Sequence, residues 1–345
     1  MRKKIPVALV GFGSQGRRVA EAISRQEDME LVGVALSQPD ISARLAFKIG
    51  YPIYLVDSKS AKLFEESKIS CKGSMETLLS KAKVVVDCTP SGVGKQNKEK
   101  FYRKFGVKAI FQAGEDPKIA SIPAFISLID YEKARNALFV RLTSPSATAL
   151  TRTILPLQQK FGARRVACTF VRAGSETMRA HQGPVDTLIP ESPRATQLIK
   201  MELNRILGKV EAFVSSIKVP SILLDMQSIF VKLTKRTSVN AIAELLARTP
   251  RVVTISGKTG LFSTDAVFEF FRRIRPFAGD IYEVCVWKEH IQVQGRIIKF
   301  TQTLDPHSVH IPEAIDAIRA MTTEISFDES LRLTDKSLCI MKGSF

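Results

Sequence analysis

The chain has 345 residues, 45% of them hydrophobic and 25% charged. That is enough for two domains with sizeable cores and excludes a peptide-sized or disulfide-stapled scaffold. Lysine and arginine number 51 against 34 aspartates and glutamates, a formal net charge of +17, spread over both halves. Such an excess predicts either a solvated basic surface or affinity for nucleic acid or another polyanion.

No stretch approaches the roughly 20 continuous apolar residues of a membrane helix. The apolar run in the start MRKKIPVALVG is too short for a signal peptide's core, so a cytoplasmic location with no membrane partner is expected. Cys71, Cys88, Cys168, Cys285 and Cys339 are widely spaced, with no C-x-x-C pair and no histidine cluster. This argues against a zinc site or a disulfide framework and for a reducing compartment.

The apolar run 5–10 stops at Gly11-Phe12-Gly13-Ser14-Gln15-Gly16, and helical spacing follows through Ile23. A second apolar run spans Glu30 to Leu36, so the opening reads strand, glycine turn, helix, strand. Val84 to Cys88 reads as a buried strand ending in Thr89-Pro90-Ser91-Gly92, followed by a lysine-rich helix and a strand over Val107–Phe111. This alternation predicts a doubly wound parallel sheet with ligands at the carboxyl ends of its strands.

After the strand-like run 138–142 the pattern changes. A helix is predicted over 147–161, then strand-like runs over 164–172, 210–219, 227–235 and 281–303, with helices at 237–247 and 263–273. That predicts an α+β second domain. Helical stretches at Pro312–Met321 and Asp328–Ser337 are expected to return to the first. The expected division is therefore residues 1–140 with 305–345, and residues 141–304.

G-x-G-x-x-G between a strand and a helix is a dinucleotide-binding signal. Its first glycine permits the tight turn, the second lets the backbone approach a pyrophosphate, and the third allows close helix–strand packing. Gly11, Gly13, Ser14, Gln15 and Gly16 are thus candidate cofactor contacts. Where the second strand ends, the ribose-reading acid of NAD sites and the basic residue of NADP sites are both missing. Ala35-Leu36-Ser37-Gln38 stands there; Ser37 and Gln38 can donate hydrogen bonds, and Ser37 is the candidate cofactor contact. Thr89, Pro90, Gly92 and Gly114, at later strand ends, complete the first-domain candidates.

Gly11–Ile23, Glu30–Val34 with Pro39-Asp40, Asp87–Gly94, Lys108–Gln112, Thr249–Val252, Gly279–Glu283 and Pro312–Met321 resemble archaeal-type (type II) glyceraldehyde-3-phosphate dehydrogenase. The likeness runs in the same order over nearly the whole chain. It implies a Rossmann-type domain binding NAD or NADP, an α+β catalytic-type domain, a homo-oligomer, and aldehyde oxidation through a cysteine thioester.

At the family's functional positions the sequence departs from this pattern. Its nucleophilic cysteine falls on Pro145 in Ser144-Pro145-Ser146, and its base histidine on Asp225 in Leu223-Leu224-Asp225-Met226-Gln227. Of two adjacent arginines near the phosphate sites, Arg172 is kept and Ala173 stands for the other; Arg172 joins the candidate cofactor contacts. The family's His-His-Gly-Pro-Asp segment has no counterpart in 191–203, and Pro306 stands at a glutamine near the nicotinamide.

Thioester chemistry needs a thiolate and a neighbouring base, so no catalytic residue is assigned. Cys88 is read as a small buried residue, and Ser144 and Ser146 have no triad partner among His181, His290, His307 and His310. Asp225 is either a structural aspartate or an acid–base group for non-covalent carbonyl chemistry.

The segment Lys95–Lys104 is expected to turn Phe101 and Phe105 inward and its lysines outward. With Lys232–Arg236 and Arg272–Arg275 it forms the candidate polyanion surface. Three functions follow as expectations: a dinucleotide-binding protein of regulatory or binding role without thioester chemistry, an oxidoreductase acting on another carbonyl, or a nucleic-acid-associated protein.

Overall fold

Two sheets of different construction account for the change of pattern after residue 142. The structure, a computed structural model, describes residues 4–175, 181–208, 210–275 and 279–345; Arg2 and Lys3 of the basic start lie outside them. The chain divides into Met1–Thr143 with Ile311–Leu338, and Ser144–His310 with Cys339–Phe345.

The first unit holds seven strands: β1 (Ile5–Val10), β2 (Met29–Leu36), β3 (Ile53–Leu55), β4 (Val84–Asp87), β5 (Lys108–Phe111), β6 (Ile122–Phe125) and β7 (Phe139–Leu142). Their order is β3-β2-β1-β4-β5-β7-β6 and every pairing is parallel. Strands covered on both faces need near-continuous apolar sequence, and Val7 to Val10 and Val84 to Val86 are fully buried. The chain turns outward in opposite directions from β1 and β4, which opens a ligand crevice at their carboxyl ends.

The second unit is a mixed sheet of β8 (Ala163–Ala173), β9 (Ile189–Pro190), β10 (Glu211–Val219), β11 (Asp225–Leu233), β12 (Val252–Ile255), β13 (Val284–Trp287), β14 (Gln292–Gln294), β15 (Ile297–Leu304) and β16 (Gly343–Ser344). The order is β16-β12-β13-β15-β11-β8-β10-β9, with β14 on β15. β8 runs parallel to β10 and antiparallel to β11.

Several expectations need correction. The run 281–303 is three strands, because the polar Lys288–His290 turn interrupts it and Gly295, at φ 63°, reverses the chain between β14 and β15. Residues 141–143, at the end of β7 and just after it, belong to the first unit, 305–310 stays with the second, and the tail 339–345 belongs there too because β16 pairs with β12. Helices Ile41–Ile49, Ser127–Ala134 and Pro193–Leu207 were not anticipated.

The lysine-rich helix also differs. It contains a π-helical turn over Lys98–Tyr102, and the wider turn rotates the residues after it. Tyr102 therefore joins Phe101 in the core while Phe105 is 37% exposed. Lys98 is buried, donating to the Ile119 carbonyl at 2.5 Å and lying over the Phe139 ring.

The returning helix Ile311–Thr322 is buried at every residue. Its charges are matched internally. Glu313 accepts from the Ser127 amide (2.7 Å), and Asp316 from Ser330 and Thr334 (2.8 and 2.7 Å). Arg319 donates to Asp28 at 2.7 and 2.8 Å and to Gln26 and Thr334 at 2.7 Å. Removing one member of such a buried set leaves its partners desolvated, so Arg319→Ala should lower stability by about 3 kcal/mol. Arg319→Lys should recover little of that, since an ammonium cannot reproduce the forked geometry. Urea denaturation of both variants measures this, and a wild-type midpoint in Arg319→Ala would contradict it.

Candidate functional site

In the first unit the site begins where β1 ends. Gly11 lies at φ +85°, and a Cβ there would meet the Cys88 carbonyl oxygen at 3.0 Å. A Cβ on Gly16 would stand 2.3 Å from the Gly11 oxygen, so both glycines are demanded by the protein's own packing. Gly13 differs: a Cβ there would meet nothing within 4 Å. The space it keeps free lies at the amino end of the helix Ser14–Ser24, whose first turn has no acidic side chain. Free amides and the positive dipole end are chemically suited to an anion. Arg18, missed in the sequence, folds back onto the Ser14 carbonyl and hydroxyl at 3.0 and 2.9 Å and adds a cation at this end. Its i,i+4 spacing from Ser14 was the available signal.

The neighbouring loop is held by Asp87, which is buried and accepts from the Thr89 amide (3.0 Å) and hydroxyl, Asn97 (2.9 Å) and Tyr102 (2.5 Å). Thr89 is thus committed to fixing the turn, while Pro90 is exposed and Gly92 sits at φ +86° before the helix Val93–Asn97. The loop after β5 that carries Gly114 is braced by buried Arg141 of β7, which donates to the carbonyls of Glu115 (2.7 Å), Pro123 (2.7 Å) and Ala113. The Glu115 side chain in turn accepts from the Gly94 amide at 2.8 Å. Ser37 and Gln38 are exposed at the end of β2. The first acid beyond them, Asp40, caps the helix Ile41–Ile49 through the Ser42 and Ala43 amides at 2.9 and 3.0 Å.

The second unit gathers the other candidates on one face of its sheet. Pro145 opens the helix Pro145–Phe161, a position where the missing N–H costs nothing and the fixed φ suits the first turn. Ser144 is engaged by Glu202, whose buried carboxylate accepts from its hydroxyl and, at 3.2 Å, its amide. Gln227 donates to the Ser146 carbonyl at 3.0 Å and accepts from Gln302 at 2.6 Å. Glu202 carried no sequence signal, because its role depends on how an unforeseen helix packs.

Asp225, buried at the start of β11, accepts from the Ala173 amide at 2.8 Å. Burial pushes its carboxyl up to about 6; the Ala173 bond and Arg172 oppose this, and Asp305 and Glu191 reinforce it. Arg172, the one candidate ligand contact in this unit, is paired with Glu191 at 3.1 Å.

Three of the thiols are buried and favoured in the protonated form. Burial raises Cys88, Cys168 and Cys285 well above the ordinary range, and the Asp87 charge adds to the effect at Cys88. Among the described residues no His, Cys, Asp and Glu group is arranged for a metal ion, and no helix is long and apolar enough to cross a membrane.

The basic clusters are partly dissolved by the fold. Lys98 is inside, Arg275 is buried against Glu283 at 2.8 Å, and Arg272 and Arg273 both pair with Glu269. Another basic surface emerges on the open face of the second sheet. There Phe213 and Phe230, 50% and 46% exposed, flank Ala167 in register. Arg165 lies over one ring and Lys299 over the other.

Residues 144–275 match the family described as glyceraldehyde 3-phosphate dehydrogenase, C-terminal domain. The glyceraldehyde-3-phosphate dehydrogenase of Archaeoglobus fulgidus is 37% identical over 339 residues, covering 98% of this chain and 99% of that one. The chain belongs to the glyceraldehyde-3-phosphate dehydrogenase family. Relatives of the same name from Aeropyrum pernix and Methanothermus fervidus are 36% and 34% identical over 98% and 97% of the chain. Aspartate semialdehyde dehydrogenase II from Vibrio cholerae shares the fold, with a TM-score of 0.66 at 12% identity over 91% of this chain and 97% of that one.

Within this family scaffold Asp225 has a measurable signature. Its raised carboxyl favours the protonated folded state, so the stability it contributes is present in full below about pH 4 and is lost as pH rises through about 6. The span corresponds to about 3 kcal/mol. Asp225→Asn keeps an acceptor for the Ala173 amide and removes this loss. It should therefore gain on the wild type between pH 4 and 7 in paired thermal melts, and parallel curves would show that Asp225 is not buried as described.

Proposed function

We propose that this member of the glyceraldehyde-3-phosphate dehydrogenase family binds a nicotinamide dinucleotide and does not perform cysteine-thioester chemistry. The carrying observation is Pro145 at the first turn of the helix Pro145–Phe161, where the resemblance places the nucleophile. Thioester formation needs a thiolate with a base beside it, and the buried thiols with raised pKa supply none. The relatives' name argues for the activity itself, so the assay below is decisive between name and residues.

The open space at Gly13 fits a pyrophosphate, with the amides of Ser14 and Gln15 and the Arg18 guanidinium around it. Ser37 and Gln38 carry neither charge expected at the adenosine ribose, which supports acceptance of both NAD and NADP. A bound nicotinamide would supply a hydride donor or acceptor. Asp225, able to hold or release a proton near pH 6, supports proton transfer to a carbonyl without a covalent intermediate.

Dinucleotide at about 100 times its dissociation constant should stabilise the protein by about 2.7 kcal/mol, and Gly13→Val should abolish that shift. With glyceraldehyde 3-phosphate and either cofactor, no reduced nicotinamide should form, and Pro145→Cys alone should not restore it because no base accompanies the thiol. Turnover matching a competent family member would sink the proposal.

A second reading, a polyanion-binding surface, is favoured by one observation. Among the described residues the fold buries eleven aspartates and glutamates but six lysines and arginines, so the exposed excess is larger than the formal +17. Exposed Phe213 and Phe230 beneath Arg165 and Lys299 suit base stacking beside phosphate contacts. Single-stranded RNA should then bind with a salt slope of about −0.7 per phosphate contacted. Phe213→Ser and Phe230→Ser should each lose about 1–3 kcal/mol. Loss of self-association with RNA affinity unchanged would assign the face to a homo-oligomer instead.

A further inference from the structure

Arg172 on β8 and Lys218 on β10 are paired in register. Two cations directly opposite one another on neighbouring strands repel, so this pair requires a counter-anion. The chain supplies one. Glu191, which follows the edge strand β9, accepts from Arg172 Nη1 at 3.1 Å and from the Ser216 hydroxyl at 2.5 Å, and its other oxygen is 3.5 Å from Lys218 Nζ. Its side chain is only 10% exposed, and its amide is tied to the Ser216 carbonyl at 2.9 Å, which fixes it on β10.

Burial alone would raise the Glu191 carboxyl. The Ser216 hydrogen bond and the Arg172 and Lys218 charges outweigh burial and hold it below the ordinary range, so it stays ionised at neutral pH. Arg172 Nε–H remains buried without an acceptor, leaving one donor of the guanidinium unused.

A guanidinium, an ammonium and a hydroxyl converging on one point are the elements of a phosphate or carboxylate seat. Here the seat is filled from within. Both cations already face the Glu191 carboxylate, and the buried Asp225 carboxyl also interacts with the Arg172 charge, so an incoming dianion would meet repulsion where it should meet attraction. We propose that Glu191 is a resident counter-anion that closes the Arg172–Ser216–Lys218 seat to phosphorylated compounds, so that the ligand taken on this face carries no phosphate group. The inference rests on the reading that the Asp225 face of the second sheet is the ligand face, and it concerns which class of ligand that face admits.

Inorganic phosphate is the probe, used on the full chain without dinucleotide, so that failure here is separable from failure of the Gly13 loop to bind cofactor. Calorimetric titration at fixed ionic strength should show no saturable phosphate binding to the wild type at this seat. Glu191→Gln, which keeps a carbonyl for Ser216 and removes the charge, should gain saturable binding about tenfold or more tighter than any wild-type signal, a difference of about 1.4 kcal/mol. Arg172→Gln added to Glu191→Gln should remove the gain. Glu191→Ser provides the same test should Glu191→Gln fold poorly. Wild-type phosphate binding that Arg172→Gln abolishes would overturn the proposal by showing the seat open. No gain in either Glu191 variant would overturn it by showing that Glu191 is not what closes it.

Discussion

The first unit depends on a helix with no solvent-facing side. Ile311–Thr322 is buried along its whole length, so each of its charged residues has to be matched within the fold. The matches lie at informative places. Arg319 grips Gln26 and Asp28, immediately before β2. The carbonyls of the last turn take Lys83, immediately before β4, at 2.5 Å, and Lys108, the first residue of β5. Cations at a helix carboxyl end are favoured by its dipole, and here they also anchor three strands at their amino ends. The carboxyl ends of β1, β2, β4 and β5 are left to the loops that carry Gly13, Ser37, Thr89 and Gly114. The division between a pinned edge and a loop-bearing edge is therefore set by a segment some 200 to 300 residues downstream of the loops it serves.

The same economy explains why charge counted along the sequence misplaces the basic surface. Lys98 and Arg275 looked like members of solvated clusters, yet one is inserted by a π-helical turn and the other is locked to Glu283. Arg141, Arg152 and Arg319 are among the largest fully buried side chains, each donating to backbone carbonyls or side chains that a loop or helix would otherwise leave exposed. Among the described residues acids are buried in larger number than bases, and the exposed excess sits on other residues, among them Arg165 and Lys299 over the aromatic rings of the open sheet face.

What was legible follows from the range of the interactions concerned. The glycine turn, β1, β2 and β4 depend on periodicity within a dozen residues, and they lie within a residue or two of where the pattern put them. Family likeness carried the two-domain fold. Phe105 was misassigned because a single wide helical turn changes which residue faces the core, and spacing rules assume the turn is regular. The three strands within 281–303 were read as one because a short polar turn and one glycine are weak punctuation in an apolar run. Glu191 beside Arg172, and Glu202 beside Ser144, had no local signal at all. The first depends on strand register across β8, β9 and β10, and the second on the packing of an unforeseen helix.

Those two carboxylates give the departures of the second unit a common physical form. The site that the resemblance implies, with a thiolate, an imidazole and bound phosphate, would need unfilled hydrogen-bonding capacity and positive potential. In this chain Pro145 meets the needs of a first helical turn without a reactive group. Glu202 occupies both donors of Ser144, the Gln227–Gln302 amide pair closes on Ser146, and Glu191 neutralises Arg172 and Lys218. Each of these contacts satisfies a polar group within the fold, which lowers the desolvation cost of that group. Asp225 is the exception: its carboxyl is buried and raised toward neutrality, a condition that fold stability alone disfavours above pH 6. A buried carboxyl whose charge changes near neutral pH, set among neighbours that are already paired, is the group on this face with a physical rationale for exchanging a proton with a ligand.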